Sequence, residues 1–270
     1  FPEKDSRNEI IEELKRLRHQ IEQREGFDSA AVRQLDERIF ALDADEDFAT
    51  KLHTTKLPVV LGFTFAADEF DSNKIPDSVR DAFTRYDLHR RNYVMNGALF
   101  SKTDYLPVVS LKQLTEALNE KSSIGHFNPD PDDDGLIRRV PAVIEFNGRI
   151  LASLAVRAVA AYFGEDPILD GTDGVAIRGS KRVQEGSERD GDLWLPVDSR
   201  GNFLLRFYGK GRTFPYTEFA DIWDGVRSRL SADELRARFG GKVVFVGVTA
   251  VGLKDLRATP LDSIYPGVET

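Results

Sequence analysis

The 270-residue sequence predicts an α/β fold with a mainly parallel central sheet flanked by helices, together with antiparallel hairpins and an N-terminal helical hairpin. Three observations carry this prediction. Two continuous apolar, β-branched runs, residues 57–65 and 243–248, have the pattern of strands buried on both faces. Apolar residues recur at helical spacing through residues 8–42 and again within 150–163 and 231–239. Turn signatures, among them Asn147-Gly148 and Asp198-Ser199-Arg200-Gly201-Asn202, separate short strand-like segments in between.

The elements follow in order. Ile10, Leu14, Leu17 and Ile21 recur at spacings of four, three and four, which makes residues 8–25 an amphipathic helix. Gly26 ends it, Asp28-Ser29 offers a new N-cap, and Val32, Leu35, Ile39 and Leu42 repeat the pattern in an antiparallel partner. This hairpin is expected to pack on its own domain; a signalling stalk or dimer surface is the alternative. A helical segment at 45–53 leads into the strand at 57–65. Residues 71–76 form a loop, and Pro76 opens a short helix through Tyr86. Residues 108–118 read as a strand end entering a helix.

Residues 123–127 and 136–146 read as a hairpin across the very polar stretch 128–135. Asn147-Gly148 makes a second tight turn, after which 150–163 forms an Ala-rich helix stopped by Gly164. Residues 170–191 form a surface loop or ragged hairpin, and 194–196 and 203–208 pair around the turn at 198–202. Residues 218–225 and 231–239 are helical, the second with Ser231 and Glu234 placed for a capping box. The expected division is a helical attachment at 1–44 and one α/β body at 45–270.

Lys and Arg total 37 against 45 Asp and Glu, so the net charge of −8 opposes a nucleic-acid partner, and no dense basic run marks a surface for one. The absence of cysteine excludes disulfides, thiolate metal sites and a thiol nucleophile. No apolar run is long enough to span a bilayer, and Arg157 interrupts 151–163. With Met95 as the one methionine, the sequence reads as a piece of a longer protein whose targeting and membrane segments lie outside it.

Asp130-x-Asp132-x-Asp134-Gly135 matches the opening of a calcium loop, in which alternate carboxylates converge on one hard cation. Its twelfth position is Pro141 where a Glu is required, which excludes an EF-hand and leaves a looser divalent-cation site or a solvated turn. His126, beside Asn128, is either a ligand or pH-sensitive contact or a structural imidazole bonded to backbone. The four histidines are scattered, and no nucleophile elbow or phosphate loop occurs, which weighs against zinc, triad and nucleotide chemistry. Gly209-Lys210-Gly211-Arg212 is an anion clamp or a tight turn. Arg138 and Arg139 alternate along a strand, so one of them can face the aspartates. After the apolar run at 243–248, Thr249, Lys254, Asp255, Arg257 and Thr259 can orient a small polar ligand or merely satisfy an irregular backbone.

Several of these pieces, taken in order, resemble one family. They are Gly125-His126-Phe127-Asn128, the Asp132 to Gly135 turn with Ile137-Arg138-Arg139, Pro196-Val197-Asp198 with Gly201, and Tyr208-Gly209 before Thr213-Phe214-Pro215. The run from Gly241 to Asp255 and the closing Pro266-Gly267-Val268-Glu269 complete the series, which over about 45–269 resembles a CHASE type-2 domain. The resemblance implies a non-catalytic, extracytoplasmic sensor of a bacterial adenylate cyclase, histidine kinase or serine/threonine kinase. In such receptors a transmembrane helix precedes the sensor and several more lead to the output domain. A small-molecule or protein signal, a homodimeric receptor and no required cofactor are the corresponding expectations. The N-terminal part of the family domain is expected to lie outside this sequence, and the helical hairpin is longer than the family connection. Two other classes stay open: a hydrolase using Asp132, Asp134 or Asp255 as acid or base, and a dimerisation module built on the N-terminal helices.

Overall fold

The structure, a computed structural model, describes residues 4–25, 29–42, 44–66, 83–91, 106–108, 122–146, 148–171, 173–178, 188–189, 192–222, 230–247 and 256–270. It is mixed α/β, and the chain divides into two compact units, Phe1–Val59 with Ser110–Ser122 and Val60–Val109 with Ser123–Thr270.

The first unit holds α1 (Lys4–Glu25), α2 (Ala30–Leu42) and α3 (Ala44–Thr54). Ser29 starts α2 by accepting the Val32 amide at 3.2 Å, as its position at an N-cap requires. Helices α1 and α2 pack through Ile11 on one and Val32, Leu35 and Ile39 on the other, all buried. The buried stripe of α1 keeps the half-buried Leu14 and Ile21 but moves by one residue at its other two positions, because Ile10 and Leu17 are exposed while Ile11 is buried. Arg18 takes the intervening position on the new stripe. Its guanidinium reaches Asp36 of α2 at 2.7 Å and Glu22 at 2.6 Å, so a half-buried ion pair stands where an apolar residue was expected.

The second unit is built around β1 (Val60–Ala66), β2 (His89–Arg91), β3 (Leu106–Val108) and β4 (Ser123–His126). Strand β4 pairs with β1 in parallel and β3 pairs with it antiparallel, giving the order β3-β1-β4. Just past β4, Asn128 continues the ladder with its side chain. It accepts the Phe65 amide and donates to the Phe65 carbonyl, both at 2.8 Å, so β1 keeps its partners where the chain turns away. Gly125 must be glycine, since a Cβ there would lie 2.5 Å from the Leu154 backbone.

The chain then forms β5 (Arg139–Pro141), β6 (Val143–Phe146), β7 (Arg149–Ala152) and α4 (Leu154–Phe163). Strands β6 and β7 are an antiparallel hairpin whose turn contains Gly148 at φ 75°. Ser153 caps α4 through the Val156 amide at 3.3 Å, and Gly164 ends it in the left-handed conformation at φ 74°. Phe63, Phe65, Phe146 and Phe83 close a ring of aromatic contacts with centroids 5.2 to 5.7 Å apart, all buried.

Strands β8 (Pro167–Asp170), β9 (Gly174–Ile177), β10 (Glu188–Arg189) and β11 (Asp192–Pro196) join β2 in a second sheet of order β10-β11-β9-β8-β2. Leu88, Val143, Ile150, Val156, Leu169 and Val175 share one apolar cluster beside it. Arg91 bridges the buried Asp170 at 2.7 Å and Asp192 at 3.1 Å, tying β2 to β8 and β11. Strand β12 (Asn202–Leu204) pairs antiparallel with β5, α5 (Ala232–Phe239) carries the predicted capping box, and β13 (Leu256–Arg257) pairs with β14 (Tyr265–Pro266). Among the described residues no helix is long and apolar enough to cross a membrane.

Several expectations are corrected. Residues 243–247 are not a strand but exposed irregular chain, with Val246 87% exposed. Apolar side chains alone do not make a strand, which also needs a ladder partner, and no described strand pairs with this run. The mainly parallel sheet is only partly visible: β1–β4 and β2–β8 are parallel, whereas the other described pairings are antiparallel. Residues 123–127 and 136–146 do not form a hairpin, because β1 takes β4 and β12 takes β5. For the same reason β11 and β12 diverge after the turn at 198–202, β11 joining β9. Residues 149–152 are strand β7 before the helix begins. In the region 170–191, read as a surface loop or ragged hairpin, β9 pairs antiparallel with β8, which ends at Asp170. The loop at 71–76, the helix start at Pro76 and residues 109–118 lie outside the described residues, although 83–86 forms a 3-10 turn.

Candidate functional site

The acidic turn closes on itself through backbone hydrogen bonds. Gly135 donates to the Asp132 carbonyl at 2.7 Å, Asp132 to the Leu136 carbonyl at 3.0 Å, and Gly135 adopts φ 80°, which disfavours any other residue. With the carboxylates on the rim of this turn, Arg138 reaches back across it. Its Nη1 donates to Asp132 Oδ2 at 2.7 Å and Asp134 Oδ1 at 3.0 Å, and its Nη2 to Asp134 Oδ2 at 2.8 Å. Arg139 adds a 3.2 Å contact to Asp132 Oδ1. The Arg138 hydrogen bonds, then the Leu136 amide, hold the Asp134 carboxyl down at about 2.

The pairing of β5 with β12 sets Pro141 opposite Asn202 and Arg139 opposite Leu204, which brings a second turn, 198–202, alongside the first. There Asp198 Oδ1 accepts the amides of Arg200 and Asn202, both at 2.9 Å. Asn202, only 5% exposed, donates Nδ2 to Asp130 Oδ2 at 3.0 Å. A carboxylate accepts only, so this bond fixes the amide orientation and leaves Asn202 Oδ1 buried, with no hydrogen-bond partner among the described residues. The two turns line a polar depression of about 650 Å³. Arg200, on its wall, has no carboxylate partner among the described residues. A surface with carboxylates and guanidinium groups in close order, and the buried orphan Asn202 oxygen behind it, suits a small polar ligand bearing both donors and acceptors.

The predicted candidates therefore separate. Arg138 and Arg139 lie in the depression with Asp130, Asp132 and Asp134. These aspartates do not share one centre: Asp132 and Asp134 converge on Arg138, and Asp130 faces Asn202. Among the described residues no three His, Asp or Glu side chains are placed to hold a metal ion together. His126 and Asn128 sit elsewhere. His126 is fully buried between Phe63 and Phe65, with ring centroids 6.4 and 6.5 Å away. Neither of its nitrogens has a hydrogen-bond partner among the described residues. Burial drives its pKa down to about 3, opposed weakly by the Leu151 backbone.

Thr259 is buried and closes a turn, donating to the Asp262 carbonyl at 3.0 Å and accepting the Asp262 amide at 3.2 Å. Arg257 lies in β13, while Thr249, Lys254 and Asp255 lie outside the described residues. The amide of Ile137 donates to the Ala258 carbonyl at 2.8 Å, linking the strand beside the acidic turn to this C-terminal segment.

Sequence reasoning passed over Asn202 and Arg200. The compact Asp198-to-Asn202 turn was a signal for them, but only the β5–β12 pairing shows which other turn they meet. The Gly209-to-Arg212 loop does hold anions, and they belong to its own chain. Gly211 donates to Asp262 Oδ2 at 3.4 Å and Arg212 to Glu269 Oε1 at 2.9 Å, with Arg212 itself in the left-handed region at φ 65°. Tyr216 Oη donates to the same Glu269 oxygen at 2.5 Å, and burial together with that carboxylate raises the phenol pKa.

Over residues 6–270 the chain matches the model of one protein family, the CHASE2 domain. No curated protein and no solved structure matches it.

Proposed function

The chain belongs to the CHASE2 domain family, whose domains are sensory and not catalytic, and from that premise we propose that it is the extracytoplasmic, stimulus-receiving domain of a bacterial transmembrane receptor. The family match across nearly the whole chain is the observation that carries this reading. Its output partner is an adenylate cyclase or protein kinase domain, and the receptor works as a homodimer.

The stimulus is received at the depression over the two turns. Arg138 is the pivot, because its guanidinium is shared between Asp132 and Asp134 and an anionic ligand group competes with those carboxylates for it. A donor group on the same ligand finds Asp130 and, after a small shift of β12, the orphan Asn202 oxygen. Binding alters output only where two arrangements of the domain differ in affinity for the ligand. The Ile137–Ala258 hydrogen bond offers the connection from this turn to the C-terminal strands.

A hydrolase reading finds less support. A general acid at neutral pH needs a raised pKa, and Arg138 pulls Asp134 the other way. The test uses the full-length receptor, with this domain deleted and, separately, with Arg138→Ala. Output is read as cyclic nucleotide formed or phosphoryl group transferred, with membrane insertion verified. Deletion is expected to abolish stimulus dependence and the point substitution to shift its midpoint. Unchanged output from an inserted, deleted receptor overturns the proposal.

A further inference from the structure

We propose that the segment from Leu204 to Tyr216, together with the C-terminal hairpin it docks on, is a contact surface for an anionic lipid bilayer. Tyr208 and Phe214 are 70% and 50% exposed, and their rings meet edge to face at 6.3 Å. Ile264 within this hairpin is also exposed, as are Leu204, three residues before Phe207, and Val246, next to Gly247. Phe207 packs edge to face on Tyr265 at 5.6 Å, Gly211 lies against Pro266, and Gly247 against Val268. Exposed apolar side chains gathered on adjoining segments mark an interaction surface, unlike single ones scattered over a protein.

Charge selects the partner. Arg206, Lys210 and Arg212 stand on this loop, and among the described residues none is paired with a carboxylate. Arg206 lies over the Tyr208 ring at 5.6 Å and Arg212 over the Tyr216 ring at 5.5 Å, so each cation sits beside an amphipathic ring. Two neighbouring acids are turned inward, Asp262 onto the Gly211 amide and Glu269 onto the Arg212 amide and Tyr216 hydroxyl, while Glu218 and Asp221 stay exposed beyond Tyr216. A chain of net charge −8 thus shows a local surface of cations and aromatic rings. Tyrosine and phenylalanine with Lys and Arg is the chemistry of the headgroup region, where rings enter the interface and cations meet lipid phosphate. The aliphatic Leu204, Val246 and Ile264 favour acyl chains over stacked bases, and the overall charge repels a polynucleotide. This inference stands on surface chemistry and does not depend on which stimulus the domain receives.

The purified chain is to be sedimented with phosphatidylcholine vesicles, alone or with about one third phosphatidylglycerol, at low and high salt. Binding to the anionic vesicles that weakens with salt is the expected result. Lys210→Gln with Arg212→Asn, the asparagine chosen because it tolerates the left-handed backbone, should lower partitioning roughly 30-fold. Tyr208→Ser with Phe214→Ser should remove the salt-resistant part of the binding, and unchanged thermal unfolding of each variant confirms its fold. Three outcomes overturn the proposal: no sedimentation with either vesicle, equal and salt-independent binding to neutral vesicles, or preferential binding of an oligonucleotide. A scattering mass that doubles and is lost in Tyr208→Ser/Phe214→Ser overturns it too, by assigning the face to a second copy. None of these outcomes bears on the receptor deletion assay.

Discussion

The group of elements from β1 to β9 and the group from β12 to β14 belong to one compact unit but are held by different forces. In the first, Phe63 and Phe65 of β1 pack with Phe83, Phe146 and His126, and α4 buries Val156, Ala158 and Ala160 against β-structure. In the second, α5 buries none of its residues, Val243 to Val246 are exposed, and beside the buried Tyr265 the segments are joined by carboxylate-to-amide contacts, Asp262 to Gly211 and Glu269 to Arg212. Apolar burial is non-directional, whereas carboxylate hydrogen bonds are directional and exchangeable. A sensory domain needs both, a body that keeps its shape and a segment whose contacts can be traded for others.

The largest expected effect lies in the body. Phe63→Ala removes the ring that contacts Phe65, Phe83 and His126, and a fully buried aromatic lost to alanine costs about 3–5 kcal/mol. Denaturant unfolding should show this as a lower midpoint with little change of slope. Val246→Ala, equally apolar in sequence but 87% exposed, should change the midpoint hardly at all. A large loss at Val246 would mean that the run is buried in solution, which breaks the comparison.

The second effect is a pH dependence centred on the buried histidine of the body. His126 has its pKa lowered from 6.5 to about 3, mainly by burial, so between those values the unfolded chain binds a proton that the folded one excludes. Stability therefore falls as pH drops from about 6.5 toward about 3, by up to about 1.4 kcal/mol per unit. His126→Leu removes the titrating group together with its two unpartnered nitrogens and should flatten that part of the curve. Asp134 acts in a lower window: its depressed carboxyl contributes stability that is lost only as the pH falls through the carboxylate range toward about 2. A slope that survives in His126→Leu would assign the dependence to other groups.

The same contrast explains how much was legible in the sequence. Local signals carried through: the Ser29 cap, Gly148 in its turn, Gly164 ending α4 and the Ser231–Glu234 capping box are each written in a few neighbouring residues. The family resemblance carried through as well, because it rests on the order of such short motifs. Pairing partners did not, since alternation and turn residues define a strand without naming its neighbour. The two hairpins expected around 128–135 and 198–202 are instead two turns brought together by β5 and β12. His126 and Asn128 looked like ligand residues for a related reason. A polar pair beside an apolar strand has the same pattern whether it faces a cleft or, as here, closes a core and a ladder. Arg18 likewise broke the α1 stripe because a long side chain can occupy a seam while its charge leaves it.

The smallest effect sets the two helices side by side. Ser153 and Ser231 perform the same task, each accepting the amide of the third residue onward at 3.3 Å. Replacing either by alanine removes about 1 kcal/mol of capping. Helix α4 is pinned by its buried face, so in Ser153→Ala the loss must be borne by the whole body, and thermal unfolding should shift by a few degrees with helicity intact. Helix α5 has no buried residue to hold its first turn once the cap is gone. In Ser231→Ala the midpoint should stay nearly fixed while amide exchange at residues 232–235 accelerates several-fold. Equal midpoint shifts in the two variants would show that α5 is coupled to the body as tightly as α4, and that the second region owes its stability to more than exchangeable polar contacts.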